Sequence, residues 1–501
     1  MTGHSNLASV LGRSSQPSDP ALIDLSGPEP VSYTYGALSA EASGVAANLR
    51  ARGHRPGARI GMLCSNSAAF YAAYFGALRA GCTIVPYNPR AGEEAISHIC
   101  RDSSLELLIA DGPPSAGVPA DLAVVGTESP TFSAWRATAD DAPPAAPGVV
   151  PAVILYTSGS TGRPKGVVLS HASQLAIIDS MANTAVRGFF ERGPCIIAAP
   201  LFHMNGLVFS ELAFAAAGRV VLQRRFDAPG FIAALHRYRV TVLSGVPTMV
   251  ALIAQEREAL ANADLTSVDL VFIGSAPLSD TVLAHAQEIF PRASIINSYG
   301  TTEIGGGIFG PHPGDIPRPP MSIGYPAPHV EIQLVGGPSP DEGVIEVRSA
   351  ANMNGYLNLP EVTAQKMQDG WINTGDIMRR DRDGFFYFVG RADDMFSCSG
   401  ENIYPGEVER LLERHSGVLE ISIVPLPDPV RGHIPVAFVV LRNGAQLTER
   451  EVKDYVLAHA APHLHPRRVW FLERMPLSGV NKIDRQALIA RAAKLAADVP
   501  C

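Results

Sequence analysis

Short apolar runs alternate with amphipathic stretches along most of this chain, and that rhythm narrows the folds open to it. RIGMLC at 59–64 reads as a buried strand, 68–80 as a helix and 82–85 as the next strand. The same rhythm returns at 195–199, 219–222, 240–243, 270–273 and 294–296, with helical stretches such as 231–239 and 280–290 between them. This is the pattern of α/β units with largely parallel sheets. At 501 residues the chain exceeds one ordinary core, so two or more folded units are expected. The Pro- and Ala-rich segment 139–150 reads as a loop before a new strand. From about Ile323 the rhythm changes: VEIQLV at 330–335 and VIEVR at 344–348 sit between Gly/Pro turns, as in an antiparallel β module. A helix at 405–415, strands ISIVPL and VAFVVL, a helix at 449–459, strand VWFL and a last helix then form a pattern with its own core. The expected class is α/β. A large N-terminal domain, 1–392, holds layered α/β sheets plus a β-barrel-like module, and a small mobile α+β C-terminal domain spans 393–501.

Hydrophobic residues make up 46% and charged residues 18%, a balance that buries a core and excludes a disordered chain. A net charge of −8 without any basic run argues against a nucleic-acid partner. No run of ~18 or more uncharged apolar residues is present, so no integral membrane span is expected. Residues 1–20 are polar and Ser-rich, without the apolar core of a signal peptide. Six cysteines are scattered without a CxxC pair, which reads as buried or free thiols in a reducing cytoplasm. The expected state is a cytoplasmic monomer or homodimer.

The strongest local signal is Tyr156-Thr-Ser-Gly-Ser-Thr-Gly-Arg-Pro-Lys-Gly166, which follows the strand AVIL at 152–155. Gly159 and Gly162 let the backbone approach an anion closely. Thr157, Ser158, Ser160 and Thr161 supply hydroxyl donors, Lys165 supplies a cation, and successive N–H groups can form an anion nest. The physical reading is a triphosphate cradle. It is not a Walker loop, which needs G-x-x-x-x-G-K-[ST].

This segment closely resembles the signature of the adenylate-forming superfamily: acyl-CoA synthetases, nonribosomal adenylation domains and beetle luciferases. The resemblance runs from about Tyr33 to Leu488, with its motifs in the family order. In Pro200-Leu-Phe-His203-Met-Asn-Gly206 it implies that His203 positions the acyl substrate. In Phe272-Ile-Gly-Ser-Ala-Pro277 it implies that Ser275, Ala276 and Pro277 border an adenine. Along Asn297, Ser298, Tyr299, Gly300, Thr301, Thr302 and Glu303 it implies that Tyr299 stacks on the base and Thr302 reaches the α-phosphate. Glu303, with Thr161, would hold Mg²⁺, a hard cation suited to oxygen ligands. Asp376, in Trp371-Ile-Asn-Thr-Gly-Asp376, reads as an acceptor at a strand end for both ribose hydroxyls, and Arg391 binds the same side. Asp393 resembles the hinge of the small domain. Ser399, Gly400 and Glu401 match the loop that lines a CoA tunnel, and Lys482 matches the family's catalytic lysine. Two departures stand out: Ser397 where many relatives carry Lys, and Asn481 where Gly usually precedes the lysine. An aromatic that stacks on the CoA adenine is expected near 431, but Arg431-Gly432 stands there. Arg90 and Arg467 are the candidate contacts for the CoA phosphates.

The implied chemistry is activation of a carboxylic acid by ATP as its acyl-adenylate, then transfer to CoA. Two anions must meet, so positive charge has to gather: Mg²⁺, Lys165 and Lys482. Expected acyl-pocket residues are His203, Met204, Asn205, Val246, Met249, Ser298, Ile304, Gly305, Gly306 and Gly307, mostly apolar or small. No Arg is placed to pair a second carboxylate, which favours a fatty or aryl acid over a dicarboxylic one. Two other readings stay open: a stand-alone ligase that loads a carrier-protein pantetheine, and a non-catalytic nucleotide-binding relative.

Overall fold

The computed structural model describes residues 5–12, 16–113, 115–147, 150–158, 163–182, 186–399, 401–477 and 483–497. The glycine-loop residues Gly159, Ser160, Thr161 and Gly162, together with Gly400 and Lys482, lie outside the described residues.

Two seven-stranded sheets carry the large domain. In the first, Ser294–Ser298, Leu270–Gly274, Val242–Gly245, Cys195–Ile197, Val220–Leu222 and Pro20–Asp24 run parallel, and Val31–Thr34 closes the edge antiparallel. In the second, Pro151–Ser158, Thr83–Pro86, Arg59–Leu63, Leu107–Ala110 and Val124–Gly126 are parallel neighbours. Pro164–Ser170 returns antiparallel along Pro151–Ser158, and Gly355–Tyr356 pairs its outer edge. The strand rhythm of the sequence is therefore realised to within a few residues at each boundary.

Between the sheets lies Ala68–Arg79, a helix apolar on every side. Such a helix has no face for water and belongs in a core, and Phe70, Tyr71, Tyr74 and Phe75 are fully or almost fully buried. Ser67 caps it by accepting a hydrogen bond from the Phe70 N–H at 3.2 Å. One apolar cluster includes Ile60 and Ile84 from one sheet and Leu22, Cys195 and Leu222 from the other. Each large side chain buried there contributes roughly 1.5–3 kcal/mol.

The N-terminal segment, polar by composition, also holds part of this core. Leu7–Val10 forms a short 3-10 turn with Leu7, Ala8 and Val10 buried. Its Leu7 N–H donates to Nδ1 of buried His171 at 2.9 Å.

The β module is an open antiparallel sheet of five strands. Glu331–Ser339, Glu342–Arg348 and Trp371–Arg380 form its path, and both Met367–Gln368 and Phe386–Arg391 pair with Trp371–Arg380. Beyond it a separate apolar cluster begins at Phe396 and runs to Ala492. It takes in both faces of a second five-stranded sheet, in which Val418–Asp428, Gly432–Leu441 and Arg468–Leu472 pack with Pro405–Glu413, Glu449–His459 and Arg485–Ala497.

Candidate active site

A cleft of about 2240 Å³ opens where the C-terminal ends of the first sheet meet the glycine-loop hairpin, the β module and the small domain. Ligands of open α/β sheets bind at such strand ends. Leu270–Gly274 and Ser294–Ser298 are parallel neighbours with Gly274 opposite Ser298. Their continuations, Ser275 to Pro277 and Tyr299 to Glu303, therefore emerge side by side and line the cleft. Ser275 adopts φ +64°, a conformation uncommon away from glycine. Asn297 Nδ2 donates to the Met321 carbonyl at 2.8 Å and tethers the facing segment.

The glycine loop joins two antiparallel strands rather than a strand and a helix. Thr157 and Lys165 are cross-strand partners and both line the cleft. The stem is held from one helix, Glu93–Asp102. The Tyr156 hydroxyl donates to Asp102 Oδ2 at 2.6 Å, and His98 Nε2 meets the Pro164 carbonyl at 3.0 Å. The Lys165 ammonium stands 5.7 Å from the centroid of the Tyr356 ring.

Asp376 lies inside the ten-residue strand Trp371–Arg380, not at a strand end as its sequence context suggested. The bulged pairing with Phe386–Arg391 sets Asp376 opposite Arg391. Asp376 is 4% exposed. The Tyr299 hydroxyl donates to Oδ2 at 2.5 Å and Arg391 Nη1 donates to Oδ1 at 3.1 Å. Burial pushes the Asp376 carboxyl above its ordinary pKa, against the Tyr299 hydrogen bond and the charges of Arg391 and Lys366. Arg391 also grips Asp393 in a fork, Nε to Oδ1 at 2.7 Å and Nη2 to Oδ2 at 2.9 Å. Burial would raise the Asp393 pKa, but the Arg391 contact outweighs it and holds the carboxyl below its ordinary value.

Glu303 sits in a turn, where its Oε1 accepts from the Tyr356 hydroxyl at 2.8 Å. Among the described residues no three His, Cys, Asp or Glu side chains form a metal cage. One cleft carboxylate beside the expected phosphate positions still fits Mg²⁺, which is commonly bound through one or two carboxylates plus substrate phosphates.

Of the expected acyl-pocket residues, His203 precedes the helix Met204–Ala215, and His203, Met204, Asn205, Val246, Ser298, Gly305, Gly306 and Gly307 all line the cleft. Asn205 Oδ1 accepts from the Ser244 hydroxyl at 3.0 Å. Met249 and Ile304 do not line it: each is turned into an apolar cluster, at 3% and 0% exposure. The expected CoA contacts are also absent from its walls. Arg90 is exposed on a turn after Thr83–Pro86. Ser399 and Glu401 are exposed on a hairpin of the small domain, and the Arg467 side chain packs on His465. The small domain instead turns Ile483, Asp484, Arg485 and Gln486 to the cleft, the residues that follow Lys482.

Several lining residues carry no sequence signal. Ser180 and Met181 come from the helix His171–Ala182, Gln365 and Lys366 from Pro360–Lys366 and its neighbourhood, and Tyr356 from a two-residue edge strand. None stands in a motif singled out from the sequence, so the fold is what brings them here.

A sequence model described as AMP-binding enzyme matches residues 13–357, and one described as AMP-binding enzyme C-terminal domain matches 407–482. The chain belongs to the AMP-binding enzyme family. This AMP-binding enzyme is 34% identical over 460 residues to a feruloyl-CoA synthase of Amycolatopsis sp, covering 90% of this chain and 92% of that one. It is 32% identical over 492 residues to a fatty acid–[acyl-carrier-protein] ligase of Streptomyces coeruleorubidus, covering 94% and 93%. Among solved structures, the anthranilate CoA ligase AuaEII in complex with anthranoyl-AMP superposes with a TM-score of 0.89 at 25% identity, covering 99% of both chains.

Proposed function

We propose that this enzyme is an ATP-dependent, AMP-forming acid–CoA ligase. One observation carries the reading: a single cleft holds the Ser275–Pro277 and Tyr299–Glu303 segments, Lys165, the Asp376–Arg391 pair and, beside them, an apolar pocket behind His203. That is an arrangement for a nucleotide and an organic acid together.

A carboxylate is a poor electrophile because it is anionic and would have to expel oxide. Attack of its oxygen on the α-phosphorus of ATP expels pyrophosphate and leaves a mixed anhydride, whose AMP is a good leaving group. The thiolate of CoA then attacks the acyl carbon and AMP departs. No protein nucleophile is needed; positioning and charge stabilisation do the work. In this reading Ser275, Ala276, Pro277 and Tyr299 take the adenine, Asp376 and Arg391 the ribose, and Thr302 the α-phosphate. Lys165, the glycine loop and Lys482 take the remaining charge. Glu303 and Thr161 would hold Mg²⁺, which neutralises triphosphate charge when bound.

The acid is a fatty or aryl carboxylic acid. The cleft residues supplied by 171–182, 203–215, 245–249 and 304–307 include no Lys or Arg to pair a second carboxylate. The feruloyl and anthranilate ligases among the relatives support an aryl acid.

We take the domain boundary at 392/393, with Asp393 as the hinge about which the small domain rotates. The orientation seen here, with 483–486 on the cleft and Ser399 and Glu401 away from it, suits the adenylation step. Rotation would exchange Lys482 for the Gly400 loop and bring Arg90 and Arg467 to CoA. The carrier-protein ligase among the relatives favours a second acceptor, holo-carrier protein.

Pyrophosphate–ATP exchange over a panel of fatty, aryl and dicarboxylic acids tests the first step. Comparing free CoA with holo-carrier tests the second. No exchange with any acid, while the folded protein holds nucleotide, rejects the reading in favour of a non-catalytic relative.

A further inference from the structure

Lys366 ends the helix Pro360–Lys366 and points its ammonium at the β module, where Nζ donates to the Thr374 carbonyl at 2.9 Å. It lines the cleft. Among the described residues no carboxylate lies within ion-pair distance of it. A lysine carries three N–H donors, and a partly buried cation with only a carbonyl partner is unfavourable unless a counter-charge arrives.

The neighbouring backbone leaves room for that counter-charge. Gly375 has φ +78°, and a Cβ built on it would lie 3.5 Å from Arg391 Nη2 and 3.7 Å from Lys366 Nζ. Two cationic groups therefore converge over the one residue of the strand segment Thr374-Gly375-Asp376 that has no side chain. Arg391 is already committed to Asp376 and Asp393, whereas Lys366 is not committed to any carboxylate described. Burial lowers the Lys366 pKa, while the charges of Glu303, Asp376 and Asp393 favour its ionised form and Arg391 opposes it.

We propose that Lys366 binds the α-phosphate of the bound adenylate. The assignment rests on the ribose role given above to Asp376. Thr374 stands two residues before that carboxylate, so Nζ is on the ribose side of the cleft rather than at the glycine-loop end, where β- and γ-phosphates would lie. Lys366 belongs to the large domain. It stays with the adenylate when rotation of the small domain withdraws Lys482, and keeps one cation on the phosphate through both half-reactions.

The test titrates ATP, AMP and adenosine calorimetrically into the parent and Lys366→Met, with melting temperatures measured alongside. The expected result is about tenfold weaker ATP and AMP binding, as for loss of a charge-assisted hydrogen bond, with adenosine unchanged. Lys366→Gln is read the same way should the Met variant not fold. Parent-like AMP affinity overturns the proposal. So does equal weakening of AMP and adenosine, which marks a packing role, or weakening of ATP alone, which puts the contact on the outer phosphates. A parent protein that binds no nucleotide sinks the ligase reading itself, a result distinct from all of these.

Discussion

Tyr299 and Asp376, 77 residues apart, meet at the floor of the cleft, where the phenol donates to the carboxylate at 2.5 Å. With Arg391 on the other oxygen, the carboxylate is held in one orientation before any nucleotide arrives. Tyr299→Phe removes the donor and keeps the ring. Leaving a buried carboxylate oxygen short of a partner costs about 1–3 kcal/mol. A lower melting temperature is expected in the nucleotide-free protein, with a smaller loss once AMP is bound, because a ribose hydroxyl then replaces the phenol. Scanning calorimetry with and without AMP measures both, and an equal loss in the two states rules out the ribose at Asp376.

Lys482 is expected to serve one half-reaction. Lys482→Ala should lower pyrophosphate exchange by about 10²-fold or more, the scale of losing a preorganised charge contact. Thioester formation from supplied acyl-adenylate should proceed at the parent rate. Rapid-quench measurement of the two steps checks this, and equal loss in both refutes the role.

In the proposed reading, the Arg391–Asp393 fork ties the hinge to the ribose contacts. Asp393→Pro, which restricts the backbone, should impair thioester formation more than adenylation. Asp393→Asn, which keeps backbone freedom but weakens the fork, should leave rotation intact. If the Pro variant runs both steps at parent rates, Asp393 is not the hinge.

Gly306 lines the cleft where the acyl group is proposed to sit, and a Cβ built on it meets nothing within 4 Å. Gly306→Leu should therefore fold as the parent does while filling pocket volume. KM for bulky acids should rise by about tenfold or more, and that for short acids much less, since mismatched bulk in an apolar pocket is worth roughly 1–3 kcal/mol. Uniform change across acids of every size places Gly306 outside the acyl pocket. The same substitution at Gly305 would strike Ile177 Cδ1 at 2.5 Å and should destabilise the fold instead.

Glu211 is fully buried in the large domain, accepting from the Tyr74 hydroxyl at 2.6 Å, while its Oε2 has no partner among the described residues. Burial pushes its carboxyl pKa up to about 8. The folded state thus keeps a proton that the unfolded chain releases at its ordinary 4.5. The stability this group contributes is complete below about 4.5 and lost as pH rises through about 8. Glu211→Gln, a neutral isostere, should remove that decline and be the more stable protein at pH 9, by on the order of 4 kcal/mol. Urea denaturation across pH 5–9 checks it, and parallel curves for parent and variant refute it.

Much of this was legible in the chain itself. The alternation of strand and helix and the change of rhythm near Ile323 are properties of short windows, set by side-chain periodicity and local backbone freedom. The N-terminal segment carried no such signal: Leu7 and Val10 are few among polar neighbours, yet they land on a core made by distant residues.

The convergence of side chains belonged to tertiary structure. Asp376 faces Arg391 because of a bulged register between two strands, and Tyr356 reaches Glu303 from an edge strand added to another sheet. Met249 and Ile304 turned away from the cleft, and Arg90 and Arg467 stood outside it, though nothing in their local sequence distinguishes them from residues that line it. A motif records which backbone and donor types lie together along the chain. Which charges share a cavity depends on sheet register, crossovers and domain orientation, and these arise only when remote segments pack.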